Sequence, residues 1–290
     1  MIPRPEHPFP QFERRNWLNL NGDWQFEIDH GCTGRERGLQ QPERELNDRI
    51  IVPFCPESRL SGVEYKDFMA CVWYRRTVTI PDAFLGQRVF LHIGACDYRT
   101  EAFVNGQSVG THVGGYTPMC FEITAALTEG ENVITVCAED ATRSGLQPAG
   151  KQSPQYGSFG CFYTRTTGIW QTVWMEPVPA AHINSYEAVA DVDASTLKVS
   201  VDAAVEEGDI VEVVLLEDGE PVAKAQGREV TLAVPSARLW SPASPYLYDL
   251  KIKVLRGDVV VDEVKGYTAM REIGVIRDKA GHKRMTLNGE

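Results

Sequence analysis

Long apolar runs are missing from this sequence of 290 residues, and so is an apolar segment near its N-terminus. A membrane-spanning helix needs about 20 mostly apolar residues, and a secretory signal needs an apolar stretch of about 7–15 residues. The first residues, MIPRPEHPFPQFERRNW, contain no such stretch. We therefore expect a soluble, cytoplasmic protein without a membrane partner.

Cysteine and histidine are present, but without the spacing of a metal or redox site. No two cysteines form a C-x-x-C pair, and the six histidines form no H-x-x-x-H or H-E-x-x-H pattern. Zinc sites and dithiol redox sites depend on such spacings. The cysteines form an odd set of seven: Cys32, Cys55, Cys71, Cys96, Cys120, Cys137 and Cys161. We predict reduced, partly buried thiols in preference to a disulfide framework, and neither a metal nor another cofactor.

Basic residues are in the minority. The 29 lysines and arginines are outnumbered by 40 aspartates and glutamates, which gives a formal net charge of -11. The excess of acid is spread along the chain, so no basic face is predicted. Proteins that bind nucleic acid present such a face to the phosphates. On charge alone we therefore expect no nucleic-acid partner.

Nearly every periodic segment alternates polar and apolar residues with a period of two. Examples are residues 72–80 (VWYRRTVTI), 88–94 (RVFLHIG), 132–140 (NVITVCAED), 196–205 (TLKVSVDAAV) and 246–255 (YLYDLKIKVL). This period is typical of strands. Two hairpin turns are predicted, one at Asn105-Gly106 and one in EDGEP (217–221), where Gly219 is free to take a positive φ. No convincing stretch has helical spacing, so the sequence predicts an all-β fold.

Composition changes at residues 177–182 (PVPAAH). All the cysteines and five of the six tryptophans precede this segment, and short Val- and Leu-rich alternations follow it. Such a change is typical of a domain boundary. We predict a jelly-roll sandwich over 1–178 and, from about seven strands, an immunoglobulin-like sandwich over 179–277.

One long segment, residues 140–168, does not fit the regular spacing of strands. Structureless loops longer than about 12–15 residues are uncommon in compact domains and are usually functional or disordered. This loop contains the aromatic residues Tyr156, Phe159, Phe162 and Tyr163, which disfavour disorder. Two interpretations remain: an ordered loop that reaches a ligand or a neighbouring domain, or a loop that fills the end of its own sandwich.

Candidate chemistry is sparse in the chain itself. Glycoside hydrolysis needs a pair of carboxylates, and Asp97 and Asp140 end two predicted strands. An aspartate at a strand end more often caps a turn than catalyses a reaction. Aromatic rings beside amides and charges suit carbohydrate binding, and the loop 140–168 has both. The residues predict no self-contained active site.

The chain as a whole resembles the N-terminal half of glycoside hydrolase family 2, the group of β-galactosidases, β-glucuronidases and β-mannosidases. The resemblance is carried by segments that follow one another in order over nearly the whole chain. They include LNLNGDWQFEID (18–29), IVPFCPESRLSGV (51–63), FVNGQSVGTHVGGYTPMCFEIT (103–124), TTGIWQTVWME (166–176), LWSPASPYLYDLKI (239–252) and TLNGE (286–290). Each segment is weak by itself, but their common order is specific.

The resemblance implies a jelly-roll sugar-binding domain, an immunoglobulin-like domain and then a TIM barrel. In that family the barrel carries both catalytic glutamates and the reaction retains the anomeric configuration. The barrel would need about 250 further residues, so residues 278–290 would begin a linker to it. The resemblance therefore implies no catalytic residue in this chain, and hydrolysis of a β-galactoside or β-glucuronide by the complete enzyme.

The family also implies that a loop of the first domain reaches the mouth of the barrel. Some members place a substrate-binding aspartate six residues before the glycine that corresponds to Gly168, and this sequence has Phe162 there. The candidate substrate-binding residues of this chain are Asp140, Lys151, Gln152, Tyr163 and Arg165. The expected partner is a carbohydrate bound with the barrel, and the resemblance leaves open a homo-oligomer of the complete enzyme. The alternative hypothesis is a stand-alone carbohydrate-binding or oligomerisation module.

The two tryptophans of TTGIWQTVWMEPVP (166–179) pose a separate question. Residues 169–176 are predicted to form one strand, with Trp170 and Trp174 on the same face. Four positions along a strand place them about 13 Å apart. We interpret them as two packing anchors and not as one sugar platform.

Overall fold

The computed structural model describes residues 1–290. The fold is all-β, with 21 strands and three short 3-10 helices at Arg59–Ser61, Asp82–Phe84 and Thr124–Ala126. The chain divides into two compact units. The first comprises residues 1–8 and 16–177, and the second comprises residues 9–15 and 178–290.

The first unit is a jelly-roll sandwich of antiparallel strands. Its strands are β1 (Leu18–Asn19), β2 (Gly22–Ile28), β3 (Asp48–Val52), β4 (Cys71–Thr79), β5 (Arg88–Ile93), β6 (Cys96–Asp97), β7 (Arg99–Val104), β8 (Gln107–Val113), β9 (Met119–Glu122), β10 (Glu131–Glu139), β11 (Gly168–Ile169) and β12 (Val173–Val178). A six-stranded sheet has the order β3-β2-β4-β10-β7-β8, and a four-stranded sheet has the order β1-β12-β5-β9. The short strands β11 and β6 form a separate pair.

Side chains from both large sheets form the core of this unit. Trp24 and Phe26 of β2 and Tyr74 of β4 pack in one cluster with Leu91 of β5 and Met175 of β12, and all five are at most 1% exposed. Strand β5 alternates half-buried and buried residues along its length, which is the period-two pattern of its sequence. Burial of each large apolar side chain stabilises the unit by about 1.5–3 kcal/mol, so this alternation fixes the register of the strands.

The second unit is an immunoglobulin-like sandwich with an added hairpin. Its strands are β13 (His182–Asp191), β14 (Thr196–Ala204), β15 (Asp209–Glu217), β16 (Glu220–Gln226), β17 (Glu229–Ala233), β18 (Tyr248–Arg256), β19 (Val259–Thr268), β20 (Ile273–Arg277) and β21 (Lys283–Leu287). They form the sheets β13-β14-β17 and β16-β15-β18-β19 and the hairpin β20-β21. The buried core includes Leu197, Val213, Tyr248 and Ile252.

A segment from the N-terminus belongs to this second unit. Residues 9–15, which the sequence division placed with the first sandwich, pair with β19 through the backbones of Glu13 and Lys265. Arg14 and Asp262 form a buried ion pair, with 3.0 Å between Nε and Oδ1. Ion pairing and hydrogen bonding compensate for the desolvation of these two charges, and composition gives no sign of such a long-range partner.

At the other end of the chain, β21 lies within residues 278–290, the predicted linker.

Both predicted hairpin turns are confirmed. Asn105 and Gly106 have φ of 50° and 82°, and they join β7 to β8 by two residues. Asp218 and Gly219 have φ of 50° and 89°, and they join β15 to β16 in the same way. Two positive φ values in succession match the right-handed twist of the flanking strands.

The prediction of one strand over residues 169–176 is wrong. The segment leaves the β11–β6 pair after Ile169 and enters the four-stranded sheet at Val173. The amide side chain of Asn21 occupies the break, because its Oδ1 accepts from the Val173 N–H at 3.1 Å and its Nδ2 donates to Thr172 Oγ1 at 3.1 Å. At this break the side chain of Asn21 takes the place of a neighbouring strand backbone. Period-two spacing alone predicts backbone hydrogen bonds there instead.

The two tryptophans consequently occupy different surroundings. Trp174 is buried and stacks on His92, with ring centroids 4.7 Å apart. Trp170 is half-buried, and its Nε1 donates to the carbonyl of Gly115 at 2.7 Å. Trp174 is a packing anchor as predicted, whereas Trp170 lies at the surface beside the long loop described next.

Candidate functional site

The long loop 140–168 begins directly after β10 and ends where β11 starts. It contains no strand and is held mainly by side-chain hydrogen bonds, with two isolated bridges between single residues, Gln152 with Tyr163 and Phe159 with Phe162. Three buried polar side chains, Asp140, Gln152 and Arg165, make most of the bonds that give it a shape.

Asp140 ties the two ends of the loop together. Its Oδ2 accepts from Thr167 Oγ1 at 3.0 Å, and its Oδ1 accepts from Thr142 Oγ1 at 2.9 Å and from Gln147 Nε2 at 2.7 Å. The residue is only 4% exposed. Both carboxylate oxygens are thus occupied by groups of the loop itself, which is the capping behaviour expected of an aspartate at a strand end.

Gln152 connects the middle of the loop to the sheet pair below it. Its Nε2 donates to Asp97 Oδ2 at 2.8 Å, and its Oε1 accepts from the Thr166 N–H at 2.9 Å. Burial, reinforced by the charge of Asp140, raises the pKa of Asp97 to about 6. The second oxygen of Asp97, Oδ1, is buried without a partner, which is costly for a charged carboxylate.

Arg165 is the centre of the loop. Its guanidinium donates to the backbone carbonyls of Ser153, Gln155 and Tyr156, three residues of the opposite arm of the loop, and to the carbonyl of Lys66 outside it. The side chain is 2% exposed. A planar guanidinium with five donors suits this geometry, and a lysine ammonium does not reproduce it.

Lys151 and Tyr163 lie side by side at the surface of the loop. The Tyr163 N–H donates to the Lys151 carbonyl at 2.8 Å, and the Ser153 N–H donates to the Tyr163 carbonyl. The Tyr163 side chain is 59% exposed, and Lys151 is exposed as well. Of the five predicted site residues, the structure therefore places Asp140, Gln152 and Arg165 inside the loop and Lys151 and Tyr163 on its outer surface.

Sequence reasoning missed three residues that belong to this region. Tyr116 is 65% exposed and packs edge to face against Trp170, with centroids 5.8 Å apart. Phe68 lies under the guanidinium of Arg165. Glu57 is buried, and its Oε2 accepts from the Thr167 N–H at 3.2 Å. For Tyr116, the glycine pair just before it in HVGGYTP was the only local sign of an unusual backbone. Phe68 and Glu57 gave no sign, because they are distant from the loop in sequence.

The carboxyl groups under the loop are not placed to act on a sugar. Glu57, Asp97 and Asp140 are at most 5% exposed. Burial raises the pKa of Glu57 to about 7. A general acid must come within hydrogen-bond reach of the glycosidic oxygen, and these groups lie beneath the loop. The arrangement supports a structural role for them.

No group of three or more His, Cys, Asp or Glu side chains is arranged to hold a metal ion. Residues 106–110 have the G-x-S-x-G spacing of a nucleophile elbow, but Ser108 lies on the hairpin strand β8 and donates to Glu101 Oε1. An elbow needs a strand-to-helix turn. None of the helices is long and apolar enough to cross a lipid bilayer.

Comparison with known proteins identifies both units. A family model described as "Glycosyl hydrolases family 2, sugar binding domain" matches residues 18–145, and one described as "Glycosyl hydrolases family 2" matches residues 173–271. A β-glucuronidase of Paenibacillus borealis is 25% identical over 95% of this chain, and a β-galactosidase of Thermoanaerobacter pseudethanolicus is 26% identical over 95%. A β-glucuronidase of Sus scrofa is 30% identical over 85%.

The chain spans less than half of the length of these relatives: 48%, 37% and 43% respectively. A solved structure agrees in fold. The β-glucuronidase from Ruminococcus gnavus, in complex with a C6-substituted uronic isofagomine, superposes with a TM-score of 0.80 at 23% identity. The match covers 96% of this chain and 48% of that one.

Proposed function

The chain belongs to glycosyl hydrolase family 2, and from this premise we propose that it forms the non-catalytic N-terminal part of a retaining β-glycosidase. One observation carries the proposal: the sugar-binding and immunoglobulin-like domains follow one another in the family's order, in a chain half as long as its relatives. The names of those relatives favour a β-glucuronide or a β-galactoside as the substrate of the complete enzyme.

The loop 140–168 is the proposed contribution of this chain to the rim of the active site. Exposed Lys151 and Tyr163 would contact the carbohydrate, and buried Asp140, Gln152 and Arg165 would fix the shape of the loop. A loop held by its own buried hydrogen bonds loses little conformational entropy when a ligand binds. This division of roles is supported by burial and bonding in the loop.

Phe162 is the position at which some family members carry an aspartate. Its ring stacks on Phe159, with centroids 5.1 Å apart, and the two backbones exchange hydrogen bonds in a tight turn. An aromatic ring cannot accept hydrogen bonds from sugar hydroxyls as a carboxylate does. We infer that other exposed polar groups of the loop contact the sugar in its place.

The domain division 1–178, 179–277 and 278–290 remains part of the proposal, with the two sandwiches serving as a scaffold for a barrel that follows. A cytoplasmic location is proposed with it. It is supported by the cysteines, none of which forms a disulfide, because disulfides are rare in reducing compartments.

Expression of the coding sequence beyond the codon of Glu290, beside the 290-residue chain, tests the proposal. We expect the longer product to hydrolyse an aryl β-glucuronide or an aryl β-galactoside, and the 290-residue chain to hydrolyse neither. A stop codon directly after Glu290, or hydrolysis by the short chain, would contradict the proposal. Light scattering on the longer product tests whether the complete enzyme is a homo-oligomer.

A further inference from the structure

Three cysteine thiols meet on the face of the six-stranded sheet that is turned away from the main core. Cys71 begins β4 and Cys137 lies on the neighbouring strand β10, and both are 2% exposed. Their Sγ atoms are 3.4 Å apart. Cys32, in the segment between β2 and β3, is exposed and is hydrogen-bonded to Cys71. We name these three residues the thiol cluster.

The thiol cluster runs from the surface into a small apolar core. Cys71 and Cys137 belong to a buried group whose other members are Leu39, Leu46, Trp73 and Phe103. Of the three thiols, only that of Cys32 lies at the surface. A small oxidant in solution therefore meets Cys32 first, and Cys71 contacts both of the other thiols.

The buried pair is close to the geometry of a disulfide. Cys137 is opposite Trp73 in the β4–β10 ladder, two positions from Cys71, so both side chains leave the same face of the sheet. A disulfide bond is about 2.05 Å long, so the two sulfur atoms must approach by roughly 1.4 Å. Small rotations of the two side chains supply a movement of that size.

The buried pair also lies at the base of the loop 140–168. Cys71 and Glu139 form the last pair of the β4–β10 ladder, and the Asp140 N–H donates to the Ala70 carbonyl directly beyond it. A covalent link between Cys71 and Cys137 would join the two strands at the point where the loop begins.

We propose that the thiol cluster is an oxidation site, at which a peroxide reacts with Cys32 and the buried pair then closes as a reversible disulfide that stabilises the base of the loop. The inference goes beyond the proposed function, because it needs neither a sugar nor a barrel. In a reducing compartment, disulfides are usually transient and redox-sensing, which agrees with a site that is reduced at rest.

The oxidation proceeds in three steps. The Cys32 thiolate attacks the O–O bond of the peroxide and becomes a sulfenic acid, while the second oxygen leaves and, with the proton that the thiol lost, forms water. The Cys71 thiol then attacks the Cys32 sulfur, the S–O bond breaks, and a second water leaves with the Cys71 proton. Finally the Cys137 thiol attacks the Cys71 sulfur, and Cys32 departs as a thiol. Two thiols are oxidised, and hydrogen peroxide is reduced to two molecules of water.

The charges around Cys32 make this reaction depend on pH. Partial burial, followed by the charges of Cys71, Asp29 and Glu139, raises the pKa of Cys32 above its usual value of 9.0. The cations of this region are each paired with a carboxylate, and they are Arg35, Arg37 and Arg99. Because the thiolate is the reacting form, the rate should rise about tenfold per pH unit below the pKa.

Peroxide treatment of the reduced 290-residue chain tests the proposal. Hydrogen peroxide is added at pH 7 and at pH 8, the remaining thiols are blocked with iodoacetamide, and intact mass and unreduced tryptic peptides are measured. We expect the loss of two hydrogen atoms, a disulfide between Cys71 and Cys137, and recovery of the original mass with dithiothreitol. The oxidised chain should melt about 5–10 °C higher than the reduced chain.

Variants separate the steps. Cys32→Ser should slow formation of the disulfide about tenfold or more, because the buried thiols meet the oxidant only when the strands open locally. Cys137→Ser should stop the reaction at its first disulfide, so that Cys32 joined to Cys71 accumulates. Cys161→Ser removes another exposed thiol of the first unit and is the matched control, which should react as the unaltered chain.

Three results would overturn the inference: no disulfide within the thiol cluster after peroxide treatment, the same rate for Cys32→Ser as for the unaltered chain, or no disulfide between Cys32 and Cys71 in Cys137→Ser. An unchanged melting temperature in the presence of the disulfide would contradict its stabilising role. Circular dichroism of each reduced variant shows whether it is folded.

Discussion

The guanidinium carbon of Arg165 lies 4.2 Å from the centroid of the Phe68 ring. Arg143 is stacked on the same ring at 4.0 Å. Phe68 belongs to the segment before β4, so the ring joins both arginines of the loop to a part of the chain about 75–97 positions away in sequence. Together with the bond from Arg165 to the Lys66 carbonyl, this contact holds the loop 140–168 against the sandwich.

Replacement of Arg165 by lysine should loosen the loop although the charge is kept. A lysine cannot donate to four carbonyls at once, and buried hydrogen bonds from a charged donor contribute about 1.5–3 kcal/mol each. We expect Arg165→Lys to lower the free energy of unfolding by about 3 kcal/mol and to speed hydrogen exchange of the loop amides. Urea unfolding and hydrogen-exchange mass spectrometry measure the two effects.

Arg143→Lys is the matched control. Arg143 is exposed and lies over the same ring, and the substitution keeps its positive charge. Its effect on the free energy of unfolding should stay within about 0.5 kcal/mol. Equal losses for the two variants would show that Arg165 has no special part in the loop.

Phe68→Leu should separate the contribution of the ring from that of its volume. Leucine retains an apolar side chain but has no π face for the two guanidinium groups. We expect a loss of about 1 kcal/mol. A double-mutant cycle with Arg165→Met isolates the pair, and a coupling energy within about 0.3 kcal/mol of zero would exclude a stabilising stack.

Gly168→Ala should be among the most harmful single changes in the first unit. Gly168 has a φ of +70°, and a Cβ there would lie 2.2 Å from the phenol oxygen of buried Tyr74. Backbone strain and overpacking each cost about 1–3 kcal/mol, so a total loss of about 3–5 kcal/mol is expected. Tryptophan fluorescence during urea unfolding reports it, since five tryptophans lie in this unit.

Gly160→Ala isolates the backbone contribution. Gly160 also has a positive φ, +52°, but nothing lies within 4 Å of its would-be Cβ. A loss of about 1–2 kcal/mol is expected. If both alanine variants lost the same stability, the contact with Tyr74 would have no energetic weight.

The strands were predictable because each is a local pattern. Alternation along β5 and β14 and the Asn105-Gly106 turn depend on residues within one element. The break after Ile169 was not predictable, because it depends on Asn21, about 150 positions earlier. The placement of residues 9–15 in the second unit depends in the same way on Asp262.

The loop shows the same contrast. Its length and its aromatic residues marked it as a candidate binding element, and the five candidate residues were chosen from it. Their exposure was not predictable. Composition does not show that the Arg165 guanidinium donates to four backbone carbonyls or that the Gln152 side chain donates to Asp97. Tyr116 was missed because it reaches the loop through space, from the turn after β8.

Glu57→Gln should flatten the dependence of stability on pH. Burial raises the pKa of Glu57 from 4.5 to about 7. Between those values the unfolded chain loses the proton first, so deprotonation favours unfolding and the contribution of Glu57 is lost as pH rises through this window. Glutamine stays neutral and its carbonyl still accepts from the Thr167 N–H, so the variant should lose less stability between pH 4.5 and 7. Asp97 acts in the same direction between 3.8 and about 6, so part of the slope will remain.

Glu101→Gln is the control for this window. Burial favours a higher pKa for Glu101, but hydrogen bonds from Arg35 and Ser108 outweigh it and hold the pKa below its ordinary value of 4.5. Its titration therefore lies at and below the lower edge of the window, so its substitution should change the slope between pH 4.5 and 7 far less than Glu57→Gln does. Urea unfolding followed by tryptophan fluorescence at both pH values gives the slopes. Equal slopes of stability against pH for Glu57→Gln and the unaltered chain would contradict the prediction. They would mean that Glu57 is charged throughout this range and accepts from the Thr167 N–H as a carboxylate.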